Sequence, residues 1–282
     1  MKNINFTDNG DRKDLLIINQ HGGSPDFKFP PVIQEEMDSL GESLRNFLEV
    51  ERDTGATEIT DAVFRRLSDS GLRVAKVEVP FPRAVCDINR RPHLASSIPF
   101  SGAALAEIER IHRPTTQEIL DVISKTDPFL ILDQHTMAPS APAENPDLSM
   151  DDPWSFGAHV DVWNLASRTG DPRSSCIIDS TSDGKKIGNR LFGTFLESNL
   201  RVSGFPQPEF NKPFAPNPER HQGQLFIGNG RGIALDIPKH ELTDTPRSEI
   251  DLSCLKISRA RVEVIAELIA DSVHKTLRSI KR

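Results

Sequence analysis

A chain of 282 residues, 37% hydrophobic and 27% charged, is long enough to bury a large core and is composed like a soluble globular protein. Its formal charge of -7 excludes the basic field that a general nucleic-acid or anionic-membrane surface needs. No apolar stretch approaches the roughly 20 residues of a membrane span, and the segment Met1–Asp8 lacks the apolar core of a secretion signal, so the expected location is the cytoplasm.

The apolar run Leu15–Asn19 is predicted as a buried strand, and it leads to His21 before the turn-forming Gly22-Gly23. Thr57–Leu67 carries Ile59, Val63 and Leu67 on one helical face, with Thr54 or Thr57 as the candidate cap. Leu72–Val79 alternates as a second strand. Ala103–Ile123 is a predicted helix that Pro114 must kink or divide. The strand Phe129–Asp133 again leads to a histidine, His135, followed by the small and turn-forming residues Thr136–Pro139. Cys176–Ile178 is a short strand, Gly184–Leu196 a helix, Ile233–Ile237 a late strand, and Arg259–Ile280 a long amphipathic helix.

This alternation predicts a single α/β domain over residues 1–282, with a mixed, mostly parallel central sheet and helices on both faces. Two irregular stretches, about 138–174 and 204–232, interrupt it. Loops of that length in a compact domain are usually functional or disordered, and these are expected to border a site. Cys86, Cys176 and Cys254 are isolated and form no CxxC pair, so reduced thiols that bind no metal are expected.

In open α/β sheets, ligands gather at the carboxyl ends of the strands. His21 and His135 are each delivered there, which places two neutral nitrogen donors around one ion; Zn²⁺ favours such donors. Either histidine alone would read as a hydrogen-bonded strand end, and the repetition favours a metal. A third, carboxylate ligand is expected. Asp53 is the first choice and Glu58 and Asp26 are the reserves, since spacing alone does not decide among them.

The segment Pro82–Pro92 supplies Arg83, Arg90 and Arg91. Guanidinium groups beside a metal suit a substrate carboxylate, or a carbonyl oxygen that gains charge during attack. The plainer reading pairs Arg83 and Arg90 with Asp87 at the surface. Asp236 lies inside an apolar run, where a carboxylate is costly unless paired or used. It is the candidate general base, the alternative being an ion pair with Lys239 or Arg231. Among the other histidines, His93 and His112 read as structural and His240 and His274 as surface residues, while His159 and His221 are candidates to face a pocket.

Several short blocks, in order, resemble the N-formylglutamate amidohydrolase family, whose site design is similar to that of zinc carboxypeptidases and aspartoacylases. They are Gln20-His21-Gly22-Gly23, Arg52-Asp53-Thr54, Pro82-Arg83 through Asp87-Ile88-Asn89-Arg90, Leu132-Asp133-Gln134-His135-Thr136, Arg220-His221-Gln222-Gly223 and Ala234-Leu235-Asp236. The last block ends in Asp where the family carries Glu. The resemblance implies a phosphorylase/hydrolase-like α/β fold of the zinc-peptidase kind. It implies Zn²⁺ on His21, Asp53 and His135, with Asp236 as general base and Arg83 polarising the scissile carbonyl. Asn89, Arg90, Arg220 and His221 would bind a small N-formyl or N-acyl amino acid or peptide-like substrate, as in a deformylase. The alternatives are an inactive ligand-binding homologue and a hydrolase of a peptide-derived substrate.

Overall fold

The computed structural model describes residues 3–10, 13–228 and 230–280. Seven strands form one sheet: β1 (Asn5–Asp8), β2 (Leu15–Asn19), β3 (Val74–Glu78), β4 (Leu130–Met137), β5 (Cys176–Ile178), β6 (Glu209–Phe210) and β7 (Gly232–Pro238). Their order is β1-β3-β2-β4-β7-β5-β6. The central four, β3, β2, β4 and β7, are parallel; β1 and β5 join antiparallel to β3 and β7, so the sheet is mixed.

Eight helices accompany the sheet: α1 (Pro31–Asp38), α2 (Gly41–Glu51), α3 (Ala56–Asp69), α4 (Gly102–Thr126), α5 (Trp154–Thr169), α6 (Arg190–Val202), α7 (Gln224–Ile227) and α8 (Arg259–Ile280). The two-residue period of β2 divides its apolar side chains between two cores. Leu16 and Ile18 pack with Ile33, Phe47, Ile108 and Phe156 from α1, α2, α4 and α5. Leu15 and Ile17 pack with Ile59, Val63, Phe192 and Val262 from α3, α6 and α8. A strand buried on both faces reads as a near-continuous apolar run, and β2, apolar from Leu15 to Ile18 before Asn19, is fully buried along its length. No helix of the described residues is long and apolar enough to cross a membrane.

Four features depart from the sequence expectations. Helix α4 runs unbroken through Pro114. The proline is exposed, so the carbonyl it leaves without an N–H partner lies on the solvent side. Helix α6 starts six residues later than Gly184, because Gly184 adopts a positive φ of 84° and Asn189, whose side chain accepts from Phe192 N at 3.0 Å, is the true cap. The stretch 138–174 contains α5, whose inward face includes His159, Asn164 and Ser167 and therefore shows no clean apolar stripe. Finally, β4 continues past Asp133 through His135 to Met137, because β7 lies alongside and pairs with it as far as Pro238.

Gly22 and Gly23 are required by close approach. A Cβ on Gly22 would collide with the side chains of Thr57 and Asn19, and one on Gly23 with the backbone of Phe81. Gly23→Ala is therefore expected to displace the segment leading to Arg83 and to destabilise the protein by roughly 1–3 kcal/mol or more. Gly102→Ala, with no atom within 4 Å of the new Cβ, should be neutral or stabilising. Paired urea titrations of the two variants check this.

Candidate metal centre

The sheet changes direction at β2: the chain leaves β2 for β3 on one side and later crosses to β4 on the other. Crevices at such a switch point are where ligands bind. His21 follows β2 directly, and His135 projects from the carboxyl-terminal half of β4. Asp53 enters from the link between α2 and α3, where Gly55 turns the chain with a φ of 98°. Its backbone N–H donates to the His21 carbonyl at 3.1 Å, and Arg52 Nε donates to the Gly22 carbonyl at 3.1 Å. The two segments are thus locked together by one main-chain and one side-chain hydrogen bond, both onto main-chain carbonyls.

Three donor atoms converge. His21 Nδ1 and His135 Nδ1 are 3.1 Å apart, and Asp53 Oδ2 is 3.0 Å from His135 Nδ1 and 3.3 Å from His21 Nδ1. Each imidazole is held from behind by a carboxylate. His21 Nε2 meets Asp87 Oδ1 at 2.9 Å, and His135 Nε2 meets Asp133 Oδ2 at 3.1 Å. An ionised carboxylate only accepts, so each Nε2 carries a proton, and each Nδ1 is the atom left to offer a lone pair to a bound cation. Two Nδ1 atoms and a carboxylate oxygen this close together inside a protein need a proton or a metal ion between them. A tetrahedral ion with bonds of about 2.0–2.2 Å needs ligand atoms roughly 3.3–3.5 Å apart, close to the spacing found. His21, Asp53 and His135 therefore fit a metal ion in both donor type and spacing.

The electrostatics agree. Burial pushes the Asp53 carboxyl up, but His21, His135 and Arg83 outweigh it and hold Asp53 well below the usual carboxylate range. Asp87 is likewise depressed: His21, Arg83 and Arg90 overcome its burial. Burial disfavours a charged His135, yet Asp133 and Asp53 raise its pKa well above that of an ordinary imidazole. The same negative surroundings would meet a divalent cation.

A cavity of about 380 Å³ opens over this cluster, lined by Arg83, Asn89, Arg90, His221 and Asp236 among others. Asp236 stands opposite His135 in the β4–β7 ladder, and its Oδ1 is buried without a hydrogen-bond partner. Burial and the nearby Asp53 push its pKa up to about 6. Arg231 pairs instead with Asp127, at 2.6 Å, and Lys239 donates to the Val50 carbonyl at 3.0 Å, so neither forms an ion pair with Asp236.

Arg83 bridges Asp53 and Asp87 at 3.2 and 3.3 Å. Arg90 lies 3.6 Å from Asp87 and donates to His221 Nε2 at 2.7 Å. The expected Arg83–Asp87 and Arg90–Asp87 pairs thus exist, but Asp87 is buried and shared with His21, so they are not a surface feature. Asn89 Oδ1 accepts from Gly223 N at 2.8 Å, and a Cβ on Gly223 would strike that same side chain. Arg220 is exposed and lies outside the cavity wall; what it contributes is its carbonyl, which accepts from Arg91 N at 3.0 Å. The reserve ligands are elsewhere: Asp26 pairs with Arg45 at 2.9 Å, and Glu58 is exposed on α3. His159 stops short of the cavity and bonds to Glu51, which lines it, at 3.1 Å.

Asp133 and Glu51 were not singled out from the sequence, and Asp87 and Lys239 entered only as ion-pair partners. Asp133 could have been, since a carboxylate two residues before His135 on the same strand shares its face. A larger recess of about 660 Å³ between α3, α8 and the chain around Leu252–Ile257 contains no histidine and stands apart from this chemistry.

A buried His–Asp–His cluster at the carboxyl end of a mixed α/β sheet defines an α/β protein built around a candidate metal centre. Among solved structures, the fold is similar to N-formylglutamate amidohydrolase from Ralstonia eutropha JMP134, with a TM-score of 0.63 at 14% identity over 99% of this chain and 100% of that one. A gene product of Agrobacterium tumefaciens gives a TM-score of 0.61 at 13% identity, over 100% of this chain and 97% of that one. No protein-family model and no curated protein matches the sequence.

One equivalent of Zn²⁺ is expected to bind and to raise the melting temperature, and His135→Ala should lose both effects; metal analysis with thermal denaturation reads this. Asp236 makes a second prediction. Its folded pKa lies above the unfolded value of 3.8, so the folded protein holds the proton longer and stability falls as pH rises from about 4 to about 6. In metal-free protein at pH 8, Asp236→Asn should therefore stabilise by roughly 1–3 kcal/mol, measured by chemical denaturation.

Proposed function

We propose that this protein is a zinc-dependent amidohydrolase that removes an N-formyl or other N-acyl group from a small carboxylate-bearing substrate. The observation that carries the reading is Asp236, whose buried and unpartnered Oδ1 lines the same cavity as the three converging donors. The similarity in fold to N-formylglutamate amidohydrolase supports it, as do the sequence blocks around His21, Asp53 and His135. The donor set of two imidazoles and one carboxylate is typical of catalytic zinc.

When bound, the ion would polarise the scissile carbonyl and lower the pKa of its water to about 7. Asp236 takes a proton from the attacking water as oxygen adds to the carbonyl carbon. The C–N bond then breaks, and Asp236 returns the proton to the leaving nitrogen, giving a carboxylic acid and a free amine. A carboxyl held near pH 6 by burial can both accept and release a proton near neutrality.

Arg83 commits two N–H groups to Asp53 and Asp87, and a guanidinium has five. The remainder serve the oxygen that gains charge, an effect of about 3–4 kcal/mol per donor in comparable sites. Asn89 and Arg90 hold the substrate carboxylate: the Asn89 carbonyl is bound by Gly223, which leaves its NH₂ to donate. His221, depressed by burial and by Arg90, stays neutral and steadies the Arg90 guanidinium.

The test is hydrolysis of a panel of N-formyl, N-acetyl and peptidyl amino acids by the zinc-loaded protein. Asp236→Asn should lower kcat by roughly 10²–10⁴-fold with little change in KM. In the unsubstituted protein, kcat/KM should rise with pH to a plateau, with a midpoint at or below about 6 because a bound cation depresses a nearby carboxyl further. Tight zinc uptake without turnover of any panel member would defeat the hydrolase reading and leave a binding protein.

A further inference from the structure

The geometry points to Arg173 as a second anion-recognition residue of the cavity, and to a substrate acyl group that itself ends in a carboxylate, as succinyl does. The inference rests on the amide-hydrolase reading of this site.

Three arginines line the cavity, Arg83, Arg90 and Arg173. The first two are engaged, Arg83 with Asp53 and Asp87, and Arg90 with Asp87 and His221. Among the described residues, the Arg173 guanidinium has neither a hydrogen-bond nor an ion-pair partner. It is nonetheless held in place: its backbone N–H donates to the Pro139 carbonyl at 2.8 Å, and its guanidinium lies 5.3 Å from the Phe214 ring centroid, within cation–π range. A half-buried cation positioned over an aromatic ring and facing a cavity, with its N–H groups unused, is built to receive an anion.

The order of strands says which part of a substrate it would meet. Across the sheet, β2 leads to His21, β4 carries His135, β7 carries Asp236, and β5 begins three residues after Arg173. With strands about 4.8 Å apart, β2 and β5 are separated by roughly 14 Å. Arg90 belongs to the His21 side through Asp87, and Arg173 to the Asp236 side. Burial depresses Arg173, and the Asp236 charge opposes this. Two separate cationic groups therefore flank the reacting centre. If Asn89 and Arg90 take the carboxylate of the leaving amino acid, the acyl half of the amide extends toward Arg173.

N-succinyl-L-alanine, N-acetyl-L-alanine and N-acetyl-L-glutamate separate the possibilities. Binding is measured by calorimetry on Asp236→Asn protein, where turnover does not interfere, with and without Arg173→Gln; kcat/KM is measured on the zinc-loaded protein and on Arg173→Gln alone. The succinyl compound should bind about tenfold tighter than the acetyl compound. Arg173→Gln should erase that gain and leave N-acetyl-L-alanine within about twofold. Absence of a succinyl preference, its survival in Arg173→Gln, or a gain for N-acetyl-L-glutamate in its place overturns the assignment. A preference that depends on Arg173 without any turnover would uphold Arg173 and refute the hydrolase reading. Turnover without the preference would do the reverse.

Discussion

Everything in this site depends on the two carboxylates that stand behind the histidines. Asp87 and Asp133 each accept a hydrogen bond from the Nε2–H of an imidazole, at 2.9 and 3.1 Å, and so turn both Nδ1 atoms inward. Were either ring flipped, its Nδ1 would point away from Asp53 and the three donors would no longer converge. The arrangement resembles the carboxylate–histidine pairs that orient metal ligands generally. It also explains why so many charges cluster in one place: Asp87 needs Arg83 and Arg90 to stay ionised, and Arg83 ties Asp87 to Asp53.

The fold delivers these groups with few long-range adjustments. β2 and β4 are neighbours, so their carboxyl ends bring His21 and His135 together, and the next strand, β7, places Asp236 beside His135. Of the three converging donors, Asp53 alone is neither on a strand nor just after one. Two devices hold it: the His21 carbonyl accepts from its N–H, and the Thr136 N–H donates to its Oδ2 at 3.2 Å. Gly22 and Gly23 let the α2–α3 link and the Phe81 backbone pack this closely, which a side chain at either position would prevent.

Much of this could be read from the sequence, because the central strands are short apolar runs and period-2 burial is a strong signal. Leu15–Asn19 matched in full, and Ile233–Ile237 fell one residue short at each end. The three side chains that converge were also named from the sequence, Asp53 as the first of three choices. What escaped was context-dependent. A histidine after an apolar run looks like a strand end, and only β7 alongside shows that β4 continues through it. Helices α1 and α2 have no side-chain cap to mark their starts, although Leu44, Phe47 and Leu48 share one face of α2, and α5 has no clean apolar stripe. Asp87 looked like a surface partner for arginine, since nothing local reveals that His21, 66 residues earlier, lies on its other side. Arg173 had no motif around it at all.

The pairing of His135 with Asp236 is set by the backbone ladder between β4 and β7, seven residue pairs long. A slip of one residue in either strand would turn that strand's side chain to the opposite face of the sheet and dismantle the centre at a stroke. A mispaired sheet therefore lacks the convergence altogether, and the cluster is assembled all-or-none with the sheet that carries it.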